Sequence, residues 1–226
     1  MNQHIIVCGC PRSGTSLMLY SLMTLDGAAV HPDEHHFKPN VNYHLPKDAW
    51  WSASKHPYDQ GRLFGLLRHF KHLKAIVMLR DGRDVCVSEH PEKPERYMVM
   101  PTRWTGMANH LRMSGIGFNP RVLTIRYEEL VEDYHRTMRS VAEFIGTNVE
   151  RSWRDVMQEL DRDKKTVKAM HSVRPIDTNS VGVWKKPEHR ERMKELSAYP
   201  EFNEELVKWG YAKTSDWLTS LESVVG

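Results

Sequence analysis

The chain has 226 residues, of which 40% are hydrophobic and 27% are charged, and its formal net charge is +3 with neutral histidines. This composition is ordinary for a globular protein and excludes an intrinsically disordered chain. The mild charge gives no reason to expect a nucleic-acid partner. No apolar run approaches the roughly 18 residues that span a bilayer, so we expect no membrane partner either.

Cysteine usage predicts a reducing environment. Cys8, Cys10 and Cys86 fall in segments that we expect to be buried, and an odd count without a spaced framework gives no reason to expect disulfides. The first predicted strand follows almost directly on the first residue, without the features of a secretory signal. We therefore expect a cytoplasmic protein with a single domain over residues 1–226.

The first predicted strand, residues 4–9, leads into a glycine-bounded turn. The spacing from Gly9 to Gly14 matches the phosphate-loop pattern G-x-x-x-x-G-K-[ST], but Thr15 occupies the lysine position. Backbone N–H groups at a helix start bind an anion, whereas a nucleoside triphosphatase needs the lysine to reach the β- and γ-phosphates. Because its fixed charge is Arg12, the loop is predicted to bind a phosphate-like anion that is not an ordinary ATP or GTP tail.

The helix after this loop is predicted over residues 15–25, because its apolar residues share one broad face. Residues 28–59 are rich in Pro, His, Asn and aromatic residues and lack clean periodicity. We predict that they form a long loop and part of a substrate pocket. A helix over residues 63–72 and a buried parallel strand over residues 74–79 come next, and together they imply a crossover connection.

A second anion-binding signal follows that strand. Residues 79–88 read Leu-Arg-Asp-Gly-Arg-Asp-Val-Cys-Val-Ser, and they begin another predicted helix. Because the carboxyl ends of parallel strands share one sheet edge, we expect Arg80 and Ser88 near the first loop. The guanidinium suits bidentate binding of an anion, whereas Asp84 is explained by capping of the helix. Two anion sites at one edge predict a nucleotide with phosphates at both ends.

The rest of the chain predicts a strand over residues 122–125 and a helix over residues 130–145, which the following glycine ends. The last third is predicted to be helical apart from a loop over about residues 161–186. Alternating strands and helices favour an α/β fold, a three-layer P-loop fold with a mostly parallel central sheet flanked by helices. We expect an α/β core over residues 1–150 and a helical part over residues 151–226.

These motifs together resemble those of sulfotransferases that use 3′-phosphoadenosine 5′-phosphosulfate. Residues 11–16 match the family's P-[KR]-[ST]-G-[ST]-[ST] loop, and residues 80–88 match its R-D-x-R-D-x-x-x-S motif. Residues 126–130 resemble its Y-E-x-L element, and residues 180–185 resemble the S-x-G-x-W segment that closes over the cofactor. The four elements stand in the family's order.

The resemblance implies a role for each matching residue. In the family, the first loop holds the 5′-phosphosulfate, the first Arg and the last Ser of the second motif hold the 3′-phosphate, and the tyrosine lies near the adenine. The implied reaction transfers a sulfonate to an acceptor hydroxyl, leaves adenosine 3′,5′-bisphosphate and uses no metal. The implied cofactor-binding residues are Arg12, Ser13, Gly14, Thr15, Ser16, Arg80, Ser88, Tyr127, Arg174, Ser180, Gly182 and Trp184.

The acceptor hydroxyl needs a general base, and three residues are candidates. Glu34 is our first choice, since it lies where carbohydrate, trehalose and tyrosylprotein sulfotransferases resemble one another in carrying a glutamate. His44 and His56 each match part of the K-T-H-L-P motif of cytosolic aryl and steroid members. Of the other catalytic candidates, Lys55 is expected to reach toward the transferred sulfonate and Arg12 to stabilise the leaving phosphate.

Two alternative functions and one metal site compete with this interpretation of the sequence. A P-loop nucleotide-binding or kinase-like protein would need a magnesium carboxylate, for which Asp81 is a weak candidate, and a catalytically silent binder would share the fold. His31 and His35 resemble a metal pair, but Pro32 interrupts any regular helix there and no second cluster supports it. We therefore expect no metal.

The acceptor is not identified by the sequence. Arg12 and residues 81–83 resemble tyrosylprotein and carbohydrate members, or bacterial ones, more than cytosolic aryl members. The short chain instead indicates a minimal enzyme with little room for a polymer. A carbohydrate, a small molecule and a tyrosyl peptide all stay open as acceptors, and the oligomeric state is not predicted.

Overall fold

The computed structural model describes residues 2–38, 46–90, 93–160 and 175–218. Its strands are β1 Gln3–Gly9, β2 Ala28–Glu34, β3 Trp51–Lys55, β4 Leu73–Leu79, β5 Glu89–His90, β6 Lys93–Tyr97 and β7 Val122–Arg126. Five of them form one parallel sheet in the order β2-β3-β1-β4-β7. The other two, β5 and β6, form a separate antiparallel pair.

Helices cover both faces of this sheet. They are α1 Thr15–Ser21, α2 Leu63–His69, α3 Gly82–Cys86, α4 Pro101–Met113, α5 Tyr127–Glu132, α6 Tyr134–Ile145, α7 Trp153–Leu160, α8 Arg190–Ser197 and α9 Pro200–Lys208. Within the described ranges, no helix combines the length and apolar character needed to cross a membrane.

The side chains of β1 alternate between two cores. Ile5 and Val7 pack with α1 and α6, whereas Ile6 and Cys8 pack on the opposite face with α2. Because successive strand residues point to opposite faces, a strand covered by helices on both sides is apolar throughout. The predicted α/β fold with a parallel central sheet is confirmed.

The prediction of a long loop over residues 28–59 is wrong. This segment contains β2 and β3, although residues 39–45 lie outside the part that the structure describes. The β3 sequence, Trp-Ser-Ala-Ser-Lys, lacks the apolar run typical of a buried strand. The hydroxyls of Ser52 and Ser54 instead lie 2.7 and 2.9 Å from the ring nitrogens of buried His4. Partners from β1 thus satisfy the polar groups of β3 in the core.

The helix predicted over residues 130–145 is also divided. Asp133 separates α5 from α6, and its carboxylate accepts a hydrogen bond of 3.0 Å from the Arg136 N–H as the N-cap of α6. The predicted glycine end is confirmed, since Gly146 has a φ of 91°. Helices α1 and α2 are shorter than predicted.

Candidate functional site

The loop between β1 and α1 has the geometry of an anion-binding turn. Arg12 has a φ of 71°, in the left-handed region that residues with a side chain rarely adopt, and Gly14 follows with a φ of 89°. The hydroxyl of buried Ser13 lies 2.6 Å from the Cys10 carbonyl oxygen and closes the turn. Helix α1 starts at Thr15, and the N–H groups of Thr15 and Ser16 come before the first hydrogen bond of the helix, which the Met18 N–H donates to the Gly14 carbonyl oxygen at 2.9 Å. They therefore face the loop as donors.

Tyr127 links this loop to the second motif. A Cβ atom on Gly14 would lie 2.5 Å from Tyr127 Cδ2, so the tyrosine ring packs directly on the loop backbone. The Arg80 guanidinium lies 4.5 Å from the centroid of the same ring. The ring therefore stands between the two groups of residues that the motifs associate with phosphates.

Arg80 joins three segments that are distant in sequence. It follows β4, is 8% exposed, and donates hydrogen bonds to the carbonyl oxygens of Arg12, at 2.9 Å, and Ser180. Its Nε is buried and finds no hydrogen-bond partner in the described part of the chain. The half-buried Ser88 donates its hydroxyl to the Asp84 carbonyl oxygen at 2.9 Å. The structure thus brings both motifs and the late segment, residues 180–185, to one sheet edge.

The helix-capping role that the sequence suggested for Asp84 is wrong. Asp81 caps α3, since its carboxylate accepts from the Arg83 N–H at 2.9 Å. Asp84 lies inside the helix, is 1% exposed, and accepts from the N–H groups of Gly182 at 2.8 Å and Trp184 at 3.0 Å. Burial raises the pKa of its carboxyl, against the opposing effects of Arg80 and of these two hydrogen bonds. No local pattern in the sequence indicates this contact, because the partners are about a hundred residues apart.

Arg83 holds the same late segment from another side. Its guanidinium lies 3.8 Å from the ring centroid of Trp184 and 5.2 Å from that of Trp217. Arg83 also pairs with the Asp81 carboxylate, at 2.7 Å between Nη2 and Oδ2. Since this carboxylate is committed to Arg83 and to the helix cap, it is a poor magnesium ligand. Arg174, which the resemblance places before this segment, lies outside the described residues.

The other end of the site contains an ion pair. Glu34 ends β2 and Lys55 ends β3, where the two residues are paired across the strands after an irregularity in register. The Lys55 Nζ lies 2.5 Å from Glu34 Oε2 and donates to the Ser16 hydroxyl at 3.0 Å. Lys55 is buried, whereas the Glu34 side chain is 48% exposed. A carboxylate that solvent can reach is thereby connected to the first turn of α1.

His56 lies beside this ion pair. Its ring centroid is 3.6 Å from that of His36, and its Nδ1 is buried with no hydrogen-bond partner among the described residues. Burial lowers the pKa of His56, and nearby His36 lowers it further. His44, the third candidate base, lies outside the residues that the structure describes.

The chain matches the profile of one protein family and the folds of several solved structures. The profile of a family described as "Sulfotransferase domain" matches residues 2–208. No curated protein sequence matches the chain significantly.

Several solved structures share the fold at low sequence identity. The sulfotransferase domain of the Synechococcus PCC 7002 olefin synthase has a TM-score of 0.54 and 16% identity, and the match covers 87% of this chain and 94% of that one. A sulfotransferase domain from the curacin biosynthetic pathway has a TM-score of 0.58 and 16% identity, with 87% and 98% covered. The mouse sulfotransferase SULT7A1, complexed with PAP, has a TM-score of 0.55 and 17% identity, with 98% and 88% covered.

Proposed function

The chain belongs to the sulfotransferase family and is therefore a sulfonate-transferring enzyme, and from that premise we propose that its donor is 3′-phosphoadenosine 5′-phosphosulfate. One observation carries the proposal: the anion-binding loop, Arg80 and the Glu34–Lys55 ion pair meet at one edge of the sheet. The mouse sulfotransferase of similar fold is complexed with PAP, the product of this donor, which supports the choice.

The residues at the second motif fit a 3′-phosphate. The unpartnered buried Nε of Arg80 is a donor that a phosphate oxygen would satisfy, and a buried guanidinium favours an anionic partner. Ser88 would add a hydroxyl contact, and Tyr127 would offer its ring to the adenine. We assign the cover over the nucleotide to the late segment, which contains Ser180, Gly182 and Trp184, with Arg174 before it.

The residues of the first loop fit the 5′ end of the donor. When bound, the donor supplies an activated sulfonate and leaves as adenosine 3′,5′-bisphosphate. The Ser13 N–H already donates to the Cys10 carbonyl oxygen at 3.0 Å, so the N–H groups of Gly14, Thr15 and Ser16 are the donors that remain for an anion. Together with the Arg12 guanidinium they would stabilise the negative charge that develops on the leaving phosphate.

Glu34 is the proposed general base. Its half-exposed carboxylate can meet an acceptor hydroxyl, while its contact with Lys55 fixes the position of one oxygen. Lys55 in turn contacts Ser16, so the base stands at a defined place relative to the loop. In this arrangement Glu34 accepts the hydroxyl proton and Lys55 stabilises negative charge on the transferred group.

His56 is the second candidate for the base. Its lowered pKa keeps the imidazole neutral near neutral pH, and a neutral imidazole can accept a proton. Glu34 is preferred because Lys55 connects it directly to the loop, whereas the structure gives His56 no such connection.

The acceptor is proposed to be a hydroxyl-bearing carbohydrate, small molecule or tyrosyl peptide. Cys8, Cys10 and Cys86 are free, buried thiols, which is consistent with the reducing, cytoplasmic location expected from the sequence.

Incubation with labelled donor and pooled sugars, phenols, lipids and tyrosyl peptides tests donor and acceptor together. We expect label on one pool and a raised melting temperature with adenosine 3′,5′-bisphosphate, because a ligand of the folded state stabilises it. If no label is transferred and adenosine 3′,5′-bisphosphate does not raise the melting temperature, the proposed donor is contradicted. Protection without transfer to any pool would indicate a catalytically silent binder.

A further inference from the structure

Three side chains beside the Glu34–Lys55 ion pair, which marks the transfer end of the site, form a cluster with ligand atoms for a metal. One ligand atom each from His36, His56 and Asp59 lies within 4.8 Å of the others. His36 Nδ1 is 2.7 Å from Asp59 Oδ1, and the two imidazole centroids are 3.6 Å apart. None of the roles proposed above uses His36 or Asp59.

Asp59 is held as a fixed ligand would be. It is 1% exposed; its Oδ2 accepts from the Phe37 N–H at 2.8 Å, and Arg62 contacts its Oδ1 at 2.7 Å. A carboxylate offers about four lone-pair positions, so a metal can replace His36 on Oδ1 while Phe37 and Arg62 stay in place. Outer contacts of this kind orient a metal ligand.

A small movement would bring a ring nitrogen of each histidine, His36 and His56, to a metal bound by Asp59. The His36 side chain is 48% exposed, so it can turn until one ring nitrogen shares an ion with Asp59. The buried Nδ1 of His56 has no hydrogen-bond partner in the described part of the chain, so no hydrogen bond at this nitrogen has to break before it binds a metal. Two imidazoles and a carboxylate suit zinc, with a fourth position left for water.

We propose that His36, His56 and Asp59 bind a zinc ion at the edge of the transfer site. This site differs from the His31–His35 pair considered from sequence, because His36 follows β2, His56 follows β3 and Asp59 lies in the 3-10 helix Pro57–Arg62. It is independent of the donor, and zinc binding tests it without any measurement of transfer.

Titration of the untagged protein with zinc tests the site, with cobalt as the spectroscopic substitute. We expect one tight ion per chain, and visible absorption of a four-coordinate cobalt without a thiolate band, since the cysteines are buried. His36→Ala and Asp59→Asn should each weaken binding by about 100-fold or more, because even outer contacts contribute about 10- to 100-fold.

His35→Ala is the matched control, since it removes the neighbouring histidine and leaves the three ligands intact. It should bind zinc as tightly as the unchanged chain. Circular dichroism shows whether each variant is folded, and His36→Gln replaces His36→Ala if the latter is not. The proposal is overturned if the unchanged chain binds no zinc, or if the His36 variant binds as well as the His35 variant does.

Discussion

The nucleotide end and the transfer end of the proposed donor site are built in different ways. At the nucleotide end, Arg80, Arg83 and Asp84 are 8%, 5% and 1% exposed, and all three contact the late segment or its neighbours. At the transfer end, one buried lysine pairs with Glu34, whose side chain is 48% exposed. Buried charges need fixed partners, whereas a base must stay reachable for the acceptor. The contrast suggests a rigid cradle for the nucleotide and an open side for the acceptor.

The largest expected effect comes from the transfer end. Glu34→Gln should lower kcat by about 100- to 10,000-fold, the usual contribution of a general base, and leave the affinity for adenosine 3′,5′-bisphosphate nearly unchanged. Steady-state kinetics and calorimetry separate the two quantities. Glu143→Gln, an exposed change on α6, is the control. Full activity in the Glu34 variant would move the base to His56 or His44.

Arg80→Ala should act on the nucleotide end. The loss of charge-assisted contacts to a phosphate should cost about 3 kcal/mol, or about 100-fold in the dissociation constant of adenosine 3′,5′-bisphosphate. Calorimetry measures this dissociation constant, and Arg136→Ala, a change at an exposed residue, is the control. Unchanged nucleotide affinity would show that Arg80 only holds the protein segments together.

Asp84→Asn should loosen the late segment. The new amide keeps one acceptor oxygen, so one of the contacts to the Gly182 and Trp184 N–H groups is lost, and nucleotide affinity should fall by about tenfold. Hydrogen exchange at Gly182 and Trp184 should become faster. The control is Asp155→Asn, which changes an exposed carboxylate that accepts a hydrogen bond from Ser152. It should change neither the nucleotide affinity nor the hydrogen exchange at Gly182 and Trp184. Unchanged exchange in the Asp84 variant would contradict the role of Asp84 in holding the late segment.

Low pH should lower the free energy of unfolding through His4, whose ring joins β1 to β3. Burial lowers the pKa of His4 from 6.5 to about 3 in the folded protein, so between these values the unfolded chain binds more protons. This contribution to stability is complete above pH 6.5 and is lost as the pH falls toward 3, by about 1.4 kcal/mol per pH unit.

Replacement of His4 isolates this effect. His4→Gln should reduce the slope of unfolding free energy against pH by about one proton, while exposed His69→Gln should leave it unchanged. Chemical denaturation at several pH values measures the slope. Equal slopes in the unchanged chain and the His4 variant would show that another group, such as His31 or His56, controls the acid response.

The elements that were predicted correctly are those whose sequence pattern lies within a few neighbouring residues. The apolar runs of β1, β4 and β7 and the glycine that ends α6 each follow from neighbouring residues. Strands β2 and β3 were missed, because one contains a proline and a register irregularity and the other alternates tryptophan, serine and alanine. Their stability depends on partners such as His4, which no window along the chain includes.

The site residues divide in the same way, into those with a local sequence signal and those that only distant contacts bring together. Sequence alone determined the phosphate loop and the second motif, since backbone turns and helix starts depend on residues next to one another. Tertiary structure alone decided that Lys55 would meet both Glu34 and Ser16, and that Asp84 would bind the backbone of Gly182 and Trp184. Contacts across the sheet edge depend on strand order and register, and the folded chain sets these only when distant segments pack together.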